Sequence, residues 1–290
     1  MLQGIRPVVP FAGVIREETA HRPQQPPVVG QPAQDTLVLR FGGRQASAMV
    51  IATPPAFDPA DPASMDAYKT LRKKAQTFAQ PHISNFHVGA VGVGKSGRAY
   101  LGCNIEVKGT QPANTVHGEM FLTALAKAQG EEKLTDIFLS ATPCGGCRQV
   151  LSEGGNPDLR IHFLNADGKG PFNTTTLAAL YPAAFNSTGA GNDQNVFRAP
   201  ALQLPKPKTP LPPLAQRAYE AAEASYLPRP NRKTWSGIAV ELANGKQYQG
   251  RALTMSAANT TITPMQDALV RIIADGQNPA DITRAVMIEP

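Results

Sequence analysis

His117-Gly118-Glu119, then 23 residues, then Pro143-Cys144-Gly145-Gly146-Cys147: this stretch decides how the rest of the chain is read. One imidazole and two thiols three positions apart are the ligand types that zinc prefers, and a three-ligand site leaves the fourth tetrahedral position open for water. Two thiolates cancel the charge of the metal, and water activated there loses its proton at a pH of roughly 7. Glu119 stands two residues from His117 at a helix start, so its side chain points elsewhere around the turn. It is placed to carry protons rather than to complete the ligand set.

Helix formers run on from Glu119 through Met120-Phe121-Leu122-Thr123-Ala124-Leu125-Ala126-Lys127-Ala128 to a stop at Gly130. Pro143 turns a loop into a second helix from Cys144 to about Ser152. Both ligand groups therefore sit at helix N-termini, where unpaired amides and the positive end of the dipole favour thiolate over thiol. Taken alone, Cys-x-x-Cys suits a redox pair or half of a structural zinc site equally well. A structural site needs a fourth ligand, and the remaining cysteine, Cys103, lies in a strand-like run that suits an inert buried thiol.

Outward from the centre, strand and helix alternate. Asp61-Pro62 opens a helix whose Met65, Tyr68, Leu71, Ala75 and Phe78 recur at helical spacing. Val88 to Val93 and Arg98 to Ile105 form a hairpin through Lys95-Ser96-Gly97, and further strands are expected around Asp136 to Ala141 and Arg160 to Leu164. The fold class is α/β: an α/β/α sandwich with a mixed sheet.

Ser84-Asn85-Phe86-His87-Val88-Gly89-Ala90, Asn104-Ile105-Glu106 and Thr142-Pro143-Cys144-Gly145-Gly146-Cys147-Arg148-Gln149, with the His-x-Glu group, carry a resemblance. The chain resembles the zinc nucleoside and nucleotide deaminases, in particular the long, two-domain, homodimeric bacterial cytidine deaminases, over roughly residues 64 to 290. That resemblance implies zinc-dependent hydrolysis of cytidine and deoxycytidine to uridine and deoxyuridine with release of ammonia, as in pyrimidine salvage. It implies His117, Cys144 and Cys147 as zinc ligands and Glu119 as the catalytic proton carrier. Asn104 and Glu106 would hold the ribose 3′-hydroxyl, Phe86 would pack on the nucleoside, and the Thr142 carbonyl would accept from the departing amine. Read without the motif, Asn104 and Glu106 merely open a polar loop and Phe86 is core. Arg148 either bonds a zinc thiolate or lies on the helix surface.

At 290 residues with 42% hydrophobic content the chain has material for a large core, and three cysteines, two of them assigned to metal, point to a reducing, cytoplasmic setting. The net charge of +6 is scattered, which makes a nucleic-acid partner unlikely, and no segment reads as a secretory signal or a membrane span. Residues 1–60 form a Pro-rich extension in which Thr36 to Phe41 reads as a strand. Residues 61–200 form the catalytic domain. A proline-dense connector near Pro205 to Pro213 leads to a degenerate copy over residues 201–290.

The copy is visible in the glycines: Gly89, Gly97 and Gly102 become Gly237, Gly245 and Gly250, each displaced by 148. Ala252 and Thr254 then stand where Asn104 and Glu106 stood, and matching Thr115-Val116 to Thr261-Ile262 puts Thr263 and Met265 at the His117 and Glu119 positions. Adding the displacement of 25 positions from Glu119 to Cys144 onto Met265 reaches Pro290, so no second cysteine loop is expected. This copy lacks metal chemistry but keeps its shape, so two chains would imitate a four-unit assembly: a homodimer is expected. By resemblance the copy helps close a neighbouring pocket, with Ala257-Ala258-Asn259-Thr260 as a candidate contact. Two other functions fit less well. A polynucleotide or unusual-base deaminase has no use for a grip on a free sugar hydroxyl. A non-catalytic zinc scaffold has no use for Glu119.

Overall fold

The Asp61 carboxylate accepts from the amides of Ala63 and Ser64, and Pro62 needs no amide partner, so the chain turns into helix α1 (Pro62–Gln76) where Asp61-Pro62 places it. The computed structural model describes residues 16–19, 48–165, 169–187, 195–229 and 233–290; the strand expected over Thr36 to Phe41 lies outside them. Two short strands, β1 (Arg16–Thr19) and β2 (Val50–Ile51), precede α1. Ser64, Tyr68, Arg72 and Ala75 form its inner face, with Met65, Leu71 and Phe78 partly buried. Arg72 departs from the apolar stripe, and burial pulls its pKa down.

After β3 (Gln80–Pro81) comes the hairpin of β4 (Gly89–Gly94) and β5 (Ala99–Cys103), turned at Gly97 in the left-handed region with φ of 81°. The run expected to continue to Ile105 breaks at Asn104. Ile105 and Glu106 form a separate strand, β6, that pairs in parallel with β3. Then follow α2 (Gly118–Ala128), β7 (Leu134–Leu139), α3 (Gly145–Ser152), β8 (Arg160–Phe163), β9 (Asn173–Thr176) and α4 (Leu177–Leu180). The sheet order is β2-β5-β4-β7-β8-β9, with β7 and β8 parallel and the other pairs antiparallel.

Two glycines show how the layers close. A side chain at Gly89 would collide with the Arg72 carbonyl of α1, and one at Gly102 would lie 2.6 Å from the Gly118 carbonyl of α2. Gly89 pairs with Cys103, the neighbour of Gly102 along β5. Successive strand residues point to opposite faces, so α1 and α2 cover opposite sides of the sheet.

The second copy contains α5 (Pro213–Glu223), β10 (Gly237–Leu242), β11 (Gln247–Arg251), α6 (Pro264–Ala274) and β12 (Ile282–Ile288), in a sheet ordered β1-β12-β10-β11. Its register repeats the first in detail. The irregularity between Val93 and Gly94 recurs between Glu241 and Leu242, and Gly245 turns the second hairpin with φ of 79°. Tyr100 donates to Glu131 beside Arg98, and Tyr248 donates to Asp275 beside Lys246. One difference is topological: the strand beside β12 is β1, running antiparallel, where the first copy has β8 running parallel to β7.

A single apolar cluster runs through both copies, with Phe121 and Leu125 of the first beside Tyr226, Leu253, Ile262 and Leu269 of the second. Among the described residues no helix is long and apolar enough to cross a membrane.

Candidate metal centre and substrate site

His117 is the N-cap of α2 and Cys144 the N-cap of α3, with Cys147 in the first turn. The Cys147 amide donates to Cys144 Sγ over 3.5 Å, so a helix start directs its unpaired N–H at a sulfur. His117 Nδ1 lies 3.6 Å from Cys144 Sγ and 3.4 Å from Cys147 Sγ, and the three donor atoms all fall within 4.8 Å of one another. Tetrahedral zinc with bonds of about 2.3 Å to sulfur and about 2.0 Å to nitrogen separates such donors by roughly 3.6 Å. The trio therefore fits zinc in both chemistry and spacing. Ligand residues separated by 27 positions in sequence meet because α2 and α3 pack side by side with their N-termini level.

Electrostatics agree with that fit. Hydrogen bonds from Cys147 and then His117 pull the Cys144 thiol well down and favour its thiolate. Cys147, bonded to that thiolate and buried, is pushed up and holds a proton that a metal would displace. The hydrogen bond to Cys144 raises His117. Burial raises Glu119, which is 7% exposed and keeps company with Cys147. A carboxyl raised in this way holds and releases a proton nearer neutrality than an exposed one.

Asn104 and Glu106 sit together, and both organise the loop at residues 82–88. Glu106 Oε2 accepts from the amides of Ile83 (2.9 Å) and Ser84 (2.7 Å), and Oε1 accepts from the Ser84 hydroxyl (2.6 Å) and Asn104 Nδ2 (3.2 Å). Asn104 Oδ1 accepts from the Val88 amide and its Nδ2 donates to the Phe86 carbonyl. Burial alone would lift the Glu106 carboxyl; the bonds from Ser84 and Ile83 outweigh it and hold the group low. Asn85 takes a left-handed φ of 56°, which turns Phe86 outward to 60% exposure. Ser84 is the residue that sequence reasoning passed over. Its place in the Ser-Asn-Phe stretch was the available signal, but nothing there indicates a partner 22 positions away.

Thr142 is exposed in the loop from β7 to α3. Arg148 reaches neither thiolate: Nε donates to the Pro143 carbonyl and Nη1 to the Leu180 carbonyl, tying the cysteine loop to the end of α4. Cys103 is fully buried in β5, and burial pushes its thiol up to about 12. In the second copy Thr263 caps α6 as His117 caps α2, with its side chain bonded to the Gln266 amide. Ala257 to Thr260, expected at a neighbouring pocket, pack against α3 of the same chain.

Two family models, both described as the cytidine and deoxycytidylate deaminase zinc-binding region, match residues 64–162 and residues 179–290. The cytidine deaminases of Yersinia pestis (strain Pestoides F) and Yersinia pseudotuberculosis serotype O:1b (strain IP 31758) are each 36% identical over 216 residues, 74% of this chain and 70% of theirs. Of solved structures, the cytidine deaminase of Burkholderia pseudomallei is 30% identical over 41% of this chain and 98% of its own, with a TM-score of 0.38. That of Mycobacterium leprae is 30% identical over 40% and 97%, with a TM-score of 0.34. With each copy matched by a family model and the curated relatives covered over most of their length, the chain belongs to the zinc-binding cytidine and deoxycytidylate deaminase family.

Proposed function

We propose that the chain hydrolyses cytidine and deoxycytidine to uridine and deoxyuridine, releasing ammonia, with His117 Nδ1, Cys144 Sγ and Cys147 Sγ holding zinc. The observation that carries this reading is the buried Glu119 carboxyl beside a trio of donors spaced for one zinc ion. Zinc, when bound, supplies Lewis-acid activation of water. Glu119 takes the proton from the attacking water, delivers it to N3 of the pyrimidine so that C4 becomes more electrophilic, and then carries a proton to the departing amino group. Phe86 packs on the nucleoside, and the Thr142 carbonyl accepts from the leaving amine. Asn104 and Glu106 hold the 3′-hydroxyl. Because Glu106 already accepts four hydrogen bonds, the sugar hydroxyl takes the place of the Ser84 hydroxyl at Oε1.

Residues 61–200 act as the catalytic domain and residues 201–290 as its degenerate, non-catalytic copy. Two chains associate as a homodimer. Ile83, Phe86 and Val107, exposed by 46%, 60% and 39%, lie on the adjoining loops at residues 82–88 and 106–110, an apolar rim suited to burial against a second chain. Thiolate ligands and free nucleosides suit the reducing cytoplasm.

The test is ammonia release by purified zinc-loaded protein from cytidine, from CMP and from a cytosine-containing oligonucleotide, with Glu119→Ala alongside. Turnover of cytidine that Glu119→Ala lowers by roughly a hundredfold or more supports the reading. Turnover confined to the oligonucleotide, or undiminished in Glu119→Ala, overturns it.

A further inference from the structure

The second copy holds the two metal-bearing segments of the first at three points. Gln266 sits in the first turn of α6 and is 6% exposed. Its Oε1 accepts from the Thr263 amide (2.8 Å), closing a capping box, while its Nε2 donates to the Asn114 carbonyl (3.0 Å). Asn114 ends the single helical turn Pro112–Asn114, and three residues later the chain reaches His117. Thr260 lies against the start of α3, where a Cβ at Gly146, between the two cysteines, would meet its methyl at 3.8 Å. At the other end of α3, fully buried Glu153 accepts from the Ser256 amide (2.7 Å) and the Tyr226 hydroxyl (3.0 Å).

We infer that the degenerate copy is a positioning frame for the metal site of its own chain, and that Gln266 is the positioning residue that sets the His117 segment against the cysteine helix. The amide is required as an amide. Its oxygen is committed to the cap of α6, and its nitrogen is the donor that reaches the segment leading to His117. A carboxylate at this position retains the first bond and loses the second; an alkyl side chain loses both. The Asn114 carbonyl, left facing a carboxylate, would pull the segment from its place, and the His117 Nδ1 to sulfur distances would widen. The frame would act on how long the three side chains grip the metal and on kcat, and less on KM, because Phe86, Asn104 and Glu106 are held to one another and to the loop at residues 82–88 by hydrogen bonds of their own.

The inference rests on the deaminase reading only for its kinetic arm, since metal retention is read without substrate. Zinc-loaded full-length protein and its Gln266→Glu, Gln266→Leu and Val240→Ala variants are challenged with a chromogenic chelator, and the thermal midpoint of each is recorded. Val240 is fully buried in β10 and packs with Ala268 and Ile272 of α6, so its truncation loosens the same copy while leaving both Gln266 hydrogen bonds their partners. Gln266→Glu should release zinc on the order of tenfold faster than wild type while melting above Val240→Ala, with kcat for cytidine falling and KM nearly constant. Wild-type zinc release in Gln266→Glu overturns the inference. Zinc release that follows the loss of melting temperature equally in all three variants overturns it as well. Should Gln266→Leu fail to fold, the comparison of Gln266→Glu with Val240→Ala still decides.

Discussion

Replacing Glu106 with glutamine tests whether the loop at residues 82–88 is built around that carboxylate. An amide can keep its oxygen on the Ile83 and Ser84 amides, but those two bonds lose their charge assistance, about 1 kcal/mol each. Its NH2 then faces the Ser84 hydroxyl, which can rotate to accept, and Asn104 Nδ2, a donor that cannot; that bond contributes about another 1 kcal/mol. The expected loss is about 3 kcal/mol, read as a lower urea midpoint of the zinc-loaded protein at neutral pH. Because the same loop presents Phe86, KM for cytidine should rise roughly tenfold, the equivalent of about 1.4 kcal/mol, with zinc stoichiometry unchanged. A Glu106→Gln protein within about 0.5 kcal/mol of wild type and with an unaltered KM would refute the reasoning.

Two further outcomes are expected. Asp136 Oδ1 and Oδ2 accept from Arg160 and His162; burial pushes the carboxyl up, but these bonds outweigh it and bring it to about 2 from 3.8. A depressed carboxyl stabilises the fold above its unfolded pKa. That contribution, about 1–2 kcal/mol once the exposure of Arg160 is discounted, should fade as the pH falls from about 4 to about 2. Asp136→Asn should lack this slope in acid unfolding, and an identical slope in the two proteins would count against the bond. Gly102→Ala would put a methyl 2.6 Å from the Gly118 carbonyl and 2.8 Å from Leu122 Cγ, lifting α2 from the sheet at a cost of about 1–3 kcal/mol. Wild-type denaturation and zinc content in that variant would show that the close approach is dispensable.

The metal trio was legible because its parts carry their chemistry in one dimension. Cys-x-x-Cys spans one helical turn, His-x-Glu sits at a helix start, and proline and glycine mark where both helices begin. The repeat was legible for a similar reason. Gly97 and Gly245 serve tight turns at a positive φ that glycine adopts most easily, and Gly102 and Gly250 lie where a helix backbone crowds the strand and leaves no room for a side chain, so the shared spacing stands out although the sequence between differs. The break at Asn104 was not legible, since a run with strand propensity says nothing about which sheet its last residues join. Nor was Arg72 on the inner face of α1, where periodicity predicts an apolar residue.

Sequence alone therefore picked out the three donor residues that the fold brings together, the carboxylate buried beside them, the mixed α/β class and the absence of such donors from the matching positions of the second copy, because each depends on residue identity at short, fixed spacing. Tertiary structure decided the rest. That Glu106 is saturated by the loop it anchors together with Asn104, that Arg148 serves backbone carbonyls instead of sulfur, and that Gln266 reaches across to Asn114 are matters of which groups meet over 16 to 152 positions of chain. Hydrogen-bond capacity is used up by whatever lies within about 3 Å, and only the folded chain selects those neighbours.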